Sequence, residues 1–172
     1  QMSLAGDQAT LAVAGLGLVF TLLVADALLQ RKPRFPRQFW ALFDVLAHGV
    51  IALLIVSPLV LVGAASTPAP IWLYGAFLFG ASLDLDHVVA ARSFKLHDAL
   101  ALSLRPITHS LTFALLVGLA VALLSGKSIT GWVAFAALSS HVLRDASGGD
   151  TPLLWPLSMR SIPWWVYYPA EI

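Results

Sequence analysis

The chain has 172 residues, of which 59% are apolar and 11% charged, and its mean hydropathy is +0.84. About a quarter of the residues of a soluble domain are charged, so this composition predicts one domain of an integral membrane protein and excludes an ordinary soluble domain. The lack of cysteine excludes disulfides, thiolate zinc sites and a cysteine nucleophile, and the net charge of +1 does not indicate a nucleic-acid partner.

Five segments are apolar over about the 20 residues that a membrane span needs. They cover about residues 8–29, 40–64, 71–91, 107–124 and 129–146. The predicted fold is all-α, a single membrane domain with about five transmembrane helices, and residues 147–172 form a tail along the cytoplasmic interface. The first segment could also be a signal peptide. Its basic residues follow the apolar run instead of preceding it, so we interpret it as a helix.

The basic residues indicate how this bundle is oriented. Five spans place the loop after the first segment, the loop after the third segment and the tail on one side of the membrane. Nine of the ten Lys and Arg residues lie in or beside these regions, and Lys127 lies on the opposite side. By the positive-inside rule, the N-terminus is outside and the C-terminus is in the cytoplasm.

Tryptophans give an approximate depth for the ionisable residues. Trp40 begins the second segment at the inner interface, whereas Trp72 and Trp132 begin the third and fifth segments at the outer interface. Counting from these residues at about 1.5 Å per residue places the ionisable groups of all three segments in the cytoplasmic half of the membrane.

Histidine and aspartate recur in pairs at helical spacing. Residues three or four apart lie on one helix face, and three such pairs occur: Asp44 with His48, Asp84 with His87, and His141 with Asp145. His109 opens the fourth segment from the same side. Facing helices that carry histidine and carboxylate side chains commonly build metal sites. The sequence therefore predicts a site for one or two divalent metals.

Each of these residues alone has an ordinary explanation. Asp84, Asp86 and Asp145 could be carboxylates hydrated at the interface. His48 could be an interhelical hydrogen-bond donor, and Asp44 its partner or a hydrated residue near the helix end. Asp86 points away from Asp84 on an ideal helix, so it joins the site only if the helix frays there, or it orients a ligand histidine. The coincidence of all these groups at one depth favours the metal site.

Four short motifs follow one another along the chain: Leu83-Asp-Leu-Asp-His87, Arg105-Pro-Ile-Thr-His-Ser110, Ser140-His-Val-Leu-Arg-Asp145 and Thr151-Pro-Leu-Leu-Trp-Pro156. In this order, over about residues 44–157, they resemble the YdjM-like family of bacterial inner-membrane proteins regarded as metal-dependent hydrolases. The resemblance implies metal-site positions at Asp84, Asp86, His87, His109, His141 and Asp145. It also matches His48 to a histidine in the first conserved helix of the family.

The chain departs from the family pattern at one position. Where the family has histidine before the arginine of the central motif, this chain has Leu104 before Arg105. If that histidine is a ligand or an acid catalyst, the site here is reduced. The departure favours an alternative, a non-catalytic membrane subunit or scaffold of a larger complex. A metal or proton carrier is a third alternative, which the nearly bare outer half of the segments disfavours.

The residues and the resemblance together predict a membrane-embedded hydrolase with one or two divalent metals, most simply Zn²⁺, that cleaves a phosphoester of a lipid or amphiphile at the cytoplasmic face. The predicted localisation is the bacterial inner membrane, and other membrane proteins are candidate partners. Asp86 would orient a ligand or act as a base, and Arg105 would hold the phosphate. The expected ligands are His48, Asp84, His87, His109, His141 and Asp145.

Overall fold

The computed structural model describes residues 4–29, 36–63, 69–146 and 151–159, and every regular element in these ranges is helical. The all-α prediction is therefore confirmed. Predictions that concern residues 30–35, 64–68, 147–150 and 160–172, including most of the basic loop and the aromatic end of the tail, lie outside the described residues. The helices are α1 (Leu4–Leu29), α2 (Arg37–Gly63), α3 (Ala69–Ser82), α4 (Asp86–Ala90), α5 (Leu96–Ala99), α6 (Leu111–Ser125) and α7 (Ser128–Ala146), with a 3₁₀ turn at Leu83–Leu85.

The helices differ in their capacity to cross a membrane. Among the described residues, the stretch Gln38–Pro58 of α2 is long and apolar enough to do so by length and composition. Ala12–Ala25 of α1 and Leu111–Ser125 are shorter apolar helices. Each predicted segment corresponds to helical structure, but the number of spans stays a prediction.

The third predicted segment is helical from Ala69 to Ala90, although it is not one uniform α-helix. The 3₁₀ turn at Leu83–Leu85 separates α3 from α4 and carries Asp84. A 3₁₀ turn has three residues per turn instead of 3.6, so it changes the directions of the side chains that follow it. An ideal α-helix would direct Asp86 away from Asp84. The 3₁₀ turn before Asp86 departs from that ideal geometry, so Asp86 can join the site.

The fourth predicted segment becomes helical later than expected, at Leu111 instead of about residue 107. Ser110 is the N-cap, and its hydroxyl oxygen accepts a hydrogen bond from the amide of Phe113 at 3.2 Å. Such a cap satisfies a backbone donor that the first helical turn leaves free. The amide of Leu111 donates to the carbonyl oxygen of Leu153 at 3.0 Å, so the returning segment 151–159 also caps α6. His109 consequently lies in a turn before the helix.

Helix α7 is the centre of the packing, in contact with α2, α3 and α6. Two apolar clusters lie along it. The first joins it to α2 and α3, and consists of Ala52, Val56, Trp72, Ala76, Val133 and Ala137. The second joins it to the 3₁₀ turn, α6 and the returning segment, and consists of Leu83, Ala114, Leu138, Val142, Ala146 and Leu153. Trp72 is therefore buried in the core, whereas Trp132 is exposed.

Helices α2 and α3 approach closely because position 80 is glycine. A Cβ atom on Gly80 would lie 2.5 Å from the Cβ of Ala52 and 2.8 Å from the carbonyl oxygen of His48. Real Cβ atoms do not approach other atoms so closely, so only glycine permits this crossing. The crossing holds His48 beside the C-terminal part of α3.

Large apolar side chains cover much of the outer surface. Leu16, Phe20, Tyr74 and Leu124 are all strongly exposed. Soluble monomers rarely expose extensive apolar surface, and such surface is typical of contact with lipid or with another protein.

Candidate metal centre

Two histidines and two aspartates meet where the 3₁₀ turn, the start of α6 and the end of α7 come together. They are Asp84, His109, His141 and Asp145, and one ligand atom of each lies within 4.8 Å of the others. The two histidines and Asp145 are buried, and Asp84 is partly exposed. The site thus has a buried side and a side open to its surroundings.

The distances within this group suit a small ion with four ligands. Asp145 Oδ2 lies 3.2 Å from the Nε2 atoms of both His109 and His141. Asp84 Oδ1 lies 3.7 Å and 3.4 Å from the same two nitrogens. Tetrahedral ligands at about 2.0–2.1 Å from zinc stand about 3.3–3.4 Å apart, so the side chains already have nearly the required spacing.

Hydrogen bonds orient both imidazole rings. His141 Nδ1 donates to the carbonyl oxygen of Gly80 at 2.6 Å, and His109 Nδ1 donates to Asp86 Oδ2 at 3.1 Å. Because the acceptors are oxygens, Nδ1 carries a hydrogen in both rings, and Nε2 is the ring nitrogen directed toward the group. Neither Nε2 atom makes a hydrogen bond with any described residue. This pattern is typical of metal-binding histidines, which donate the other ring N–H to an oxygen.

The donor set also fits a divalent metal chemically. Two imidazole nitrogens and two carboxylate oxygens are ligands that zinc accepts in four-coordinate sites. Buried imidazole nitrogens without hydrogen-bond partners and buried carboxylates are both costly, and a cation between them lowers that cost. The residues present can therefore hold a divalent metal, whose identity the geometry leaves open.

Asp86 orients the His109 ring through Nδ1, on the side that faces away from the four-residue group. Besides His109 Nδ1, its Oδ2 atom accepts a hydrogen bond from the hydroxyl of Thr108. Burial disfavours a charged imidazole, but the nearby carboxylates of Asp145, Asp84 and Asp86 outweigh it and raise the pKa of His109 to about 10. In the metal-free protein, His109 is therefore positively charged at neutral pH, with a hydrogen on both ring nitrogens.

His87 belongs to a second, neighbouring group. Its Nδ1 atom lies 3.0 Å from Asp86 Oδ1 and 3.8 Å from Asp84 Oδ1. Asp86, His87 and His109 together form another set of three whose ligand atoms lie within 4.8 Å of one another. This set could hold a second ion beside the first.

His48 lies beside the four-residue group. Its ring stacks on that of His141, with centroids 3.7 Å apart. Its Nε2 atom is 3.3 Å from Asp145 Oδ1, the oxygen opposite the one that faces His109 and His141, and 4.0 Å from Asp44. This placement suits a residue that fixes a ring and a carboxylate. Its expected role as a ligand stays a prediction.

Arg105 reaches the same carboxylates from the turn before α6. Its Nη1 atom lies 2.6 Å from Asp145 Oδ2 and 4.0 Å from Asp84 Oδ1. The preceding residue, Leu104, is 54% exposed, so the position at which the family carries a histidine faces outward. His97 is exposed too and lies 3.3 Å from Asp98, so it does not take that histidine's place in the site.

A cavity of about 420 Å³ opens beside the group. Its wall comes from α2, the α3–α4 run and residues 96–105, and is mostly apolar. Its ionisable lining residues are Asp44, Asp84, His87 and Arg105. The cavity thus joins an apolar space to one edge of the candidate metal centre.

Two partners of the site were not among the residues predicted from the sequence. They are the carbonyl oxygen of Gly80 and the hydroxyl of Thr108. A backbone carbonyl has no sequence signature. Thr108 could have been suspected from its position next to His109.

Comparisons with known proteins agree with the proposed resemblance. The YdjM inner membrane protein family matches residues 43–170. The mouse (Mus musculus) protein named Transmembrane protein 267 is 32% identical over 142 residues, an alignment that covers 77% of this chain and 65% of that protein. The chain thus spans less than two thirds of the length of this relative. No solved structure matches the chain. The family match covers most of the chain and includes every residue of the candidate centre, so this membrane protein belongs to the YdjM inner membrane protein family.

Proposed function

We propose that this protein is a metal-dependent hydrolase that cleaves a phosphoester of a lipid or another amphiphile. One observation carries the proposal: the Nε2 atoms of His109 and His141 converge with the oxygens of Asp84 and Asp145 beside an apolar cavity. A structural ion site would not need such a cavity, whereas a catalytic one must admit a substrate.

A divalent cation in this site would supply Lewis acidity, which lowers the pKa of water to about 7 and neutralises phosphoryl charge. The protein residues around it have separate tasks. His109 and His141 present Nε2, and Asp84 and Asp145 present one oxygen each. Gly80 and Asp86 hold the two rings in the required tautomer, as their hydrogen bonds with the Nδ1 atoms indicate.

In this proposal, His87 and Asp86 transfer the proton from a position beside the cavity. His87 lines the cavity, and its Nδ1 atom lies 3.0 Å from Asp86 Oδ1. An imidazole paired with a carboxylate can take a proton from water and return it to the leaving oxygen. Arg105, which lines the same cavity, can bind a phosphate oxygen through its planar guanidinium.

The shape of the cavity supports an amphiphilic substrate. Leu85, Val88, Leu96 and Leu100 are among its apolar lining residues. A hydrocarbon chain in this space is removed from water at one end, while the phosphate meets Arg105 and the metal group at the other. A small, fully polar phosphoester would leave the apolar wall without a partner.

We place the site at the cytoplasmic face of the bacterial inner membrane. In this arrangement α1, α2, the α3–α4 run, α6 and α7 cross the membrane, with the N-terminus outside. The arrangement brings the end of α3, the start of α6 and the end of α7 to the same side, where these elements share the candidate centre. The clustering of Lys and Arg in the loops of that side supports the orientation.

The proposal can be tested with detergent-purified protein loaded with Zn²⁺ or Mn²⁺. Phosphate release from alkyl phosphate monoesters of increasing chain length should rise with chain length until the cavity is filled. His141→Ala should abolish turnover, whereas Asp98→Asn, at a half-exposed position outside the site, should not change it. Ala81→Phe, which fills part of the cavity, should reduce turnover of long chains most. Metal binding without turnover of any ester, including phospholipids, would favour the non-catalytic subunit.

A further inference from the structure

We infer that Arg105 is an internal counter-ion that holds the metal ligands in the metal-free protein, and that a bound divalent cation displaces it into the cavity. The inference rests on the metal site of the proposed function, but not on hydrolysis. Under this inference, metal binding also releases Arg105 into the cavity, where its guanidinium can bind an anion.

The first argument is that the arginine and the metal need the same oxygen. Arg105 Nη1 lies 2.6 Å from Asp145 Oδ2, the atom that both Nε2 nitrogens face at 3.2 Å. A metal would bind this oxygen at about 2.0–2.2 Å. The guanidinium and the divalent cation would then repel each other at close range. The two cations therefore exclude each other.

The second argument is that the carboxylates need a cation in either state. Asp145 is buried, and Asp84 is about four-fifths buried. A buried carboxylate without a compensating charge is strongly destabilising. Arg105 contacts Asp145 closely and lies 4.0 Å from Asp84, so it supplies this charge when no metal does.

The third argument is that Arg105 can move without unfolding the bundle. It lies in the irregular stretch between α5 and α6, and its side chain is 27% exposed. It already lines the 420 Å³ cavity, together with the apolar residues that would surround a substrate chain. The displaced guanidinium has its free space there. The metal-loaded protein consequently presents a cation to an anionic ligand, whereas in the metal-free protein that cation is paired.

The affinity for Zn²⁺ shows whether Arg105 competes with the metal for Asp145 or supports the metal site. Zn²⁺ dissociation constants would be measured calorimetrically for the wild type, Arg105→Gln, Arg105→Lys and the exposed Arg92→Gln. Because Gln removes the competing charge, Arg105→Gln should bind Zn²⁺ at least about tenfold more tightly than the wild type. Its metal-free form should melt at a lower temperature. Arg105→Lys should lie between the two, and Arg92→Gln should match the wild type.

A second readout uses the unmodified protein, in case Arg105→Gln does not fold. Phenylglyoxal modifies accessible arginine side chains, and mass spectrometry reports the rate for each residue. Zn²⁺ should accelerate modification of Arg105 and leave that of Arg92 unchanged. Unchanged or weaker Zn²⁺ binding by Arg105→Gln, or slower modification of Arg105 with metal, would overturn the inference while leaving hydrolysis open. Failure of the wild type to bind any metal would overturn both proposals.

Discussion

His141 donates its Nδ1 hydrogen to the carbonyl oxygen of Gly80, 2.6 Å away on the neighbouring helix α3. The same glycine allows α2 to approach α3, because a Cβ atom there would lie 2.5 Å from Ala52. One residue therefore connects the packing of three helices to the tautomer of a candidate metal ligand. Changes in the packing around Gly80 should therefore alter the orientation of His141 in the metal site.

Gly80→Ala should destabilise the protein and weaken its metal site together. The added methyl group must displace Ala52 or the backbone of His48, at a cost of about 1–3 kcal/mol. The shift would also move the carbonyl that orients His141. Thermal unfolding and Zn²⁺ titration measure the two effects. Gly75→Ala is the matched control on the same helix, since nothing lies within 4 Å of its added Cβ. It should leave zinc affinity unchanged and not lower stability, because alanine is about 0.5–1 kcal/mol more favourable than glycine inside a helix.

Asp86→Asn should weaken metal binding without abolishing it. Asp86 contacts His109 through Nδ1, on the far side of the ring from the metal group. Loss of such an orienting carboxylate typically reduces metal affinity about 10- to 100-fold. Zn²⁺ titration would measure the change, with Asp98→Asn as the control. Complete loss of metal from Asp86→Asn would show that the aspartate is itself a ligand.

His48→Ala tests whether this histidine binds metal or supports the site. Its nearest contacts are the ring of His141 and the outer oxygen of Asp145. We expect the variant to keep one equivalent of zinc, to bind it about tenfold more weakly, and to lose about 1–3 kcal/mol of stability because Asp145 Oδ1 loses its partner. A stoichiometry that falls to zero would restore the ligand role predicted from the sequence.

Metal binding should release a proton at neutral pH. The raised pKa of His109, about 10, means that the metal-free protein holds a proton on this ring that a metal must displace. From pH 7 to pH 8, zinc affinity should therefore increase about tenfold for each proton released. In the metal-free protein, the stabilising effect of charged His109 is complete below about pH 6.5 and is lost as the pH rises through 10. Calorimetry in buffers of different ionisation enthalpy counts the protons, and a count of zero at pH 7 would contradict this account.

Residue spacing along the chain indicated which side chains come together better than it indicated how they are arranged, and their role as metal ligands stays a prediction. Helical spacing placed His141 and Asp145 on one face, and both lie in the four-residue group. The same reasoning put Asp86 on the wrong face of an ideal helix. The 3₁₀ turn, which apolar periodicity does not reveal, lies directly before it. Hydrophobicity also extended the fourth segment through His109, because it does not register the N-cap at Ser110.

Contacts between distant parts of the chain were beyond sequence reasoning for a different reason. The placement of His48 on the outer oxygen of Asp145 depends on how closely α2 approaches α3 and α7. That distance is set by a glycine whose role becomes visible only in the packed bundle. Arg105 was predicted to hold a phosphate from its charge alone, and its contact with Asp145 depends on the fold of the turn before α6.

The most direct test of the metal centre is the metal content of detergent-purified protein after incubation with Zn²⁺ and removal of the excess. The wild type and Asp98→Asn should each retain at least one equivalent by elemental analysis. The double variant Asp84→Asn/His141→Ala should retain none while keeping its helical circular dichroism spectrum. A wild-type protein without metal, or a double variant with a full equivalent, would contradict the assignment of Asp84, His109, His141 and Asp145 as the metal centre.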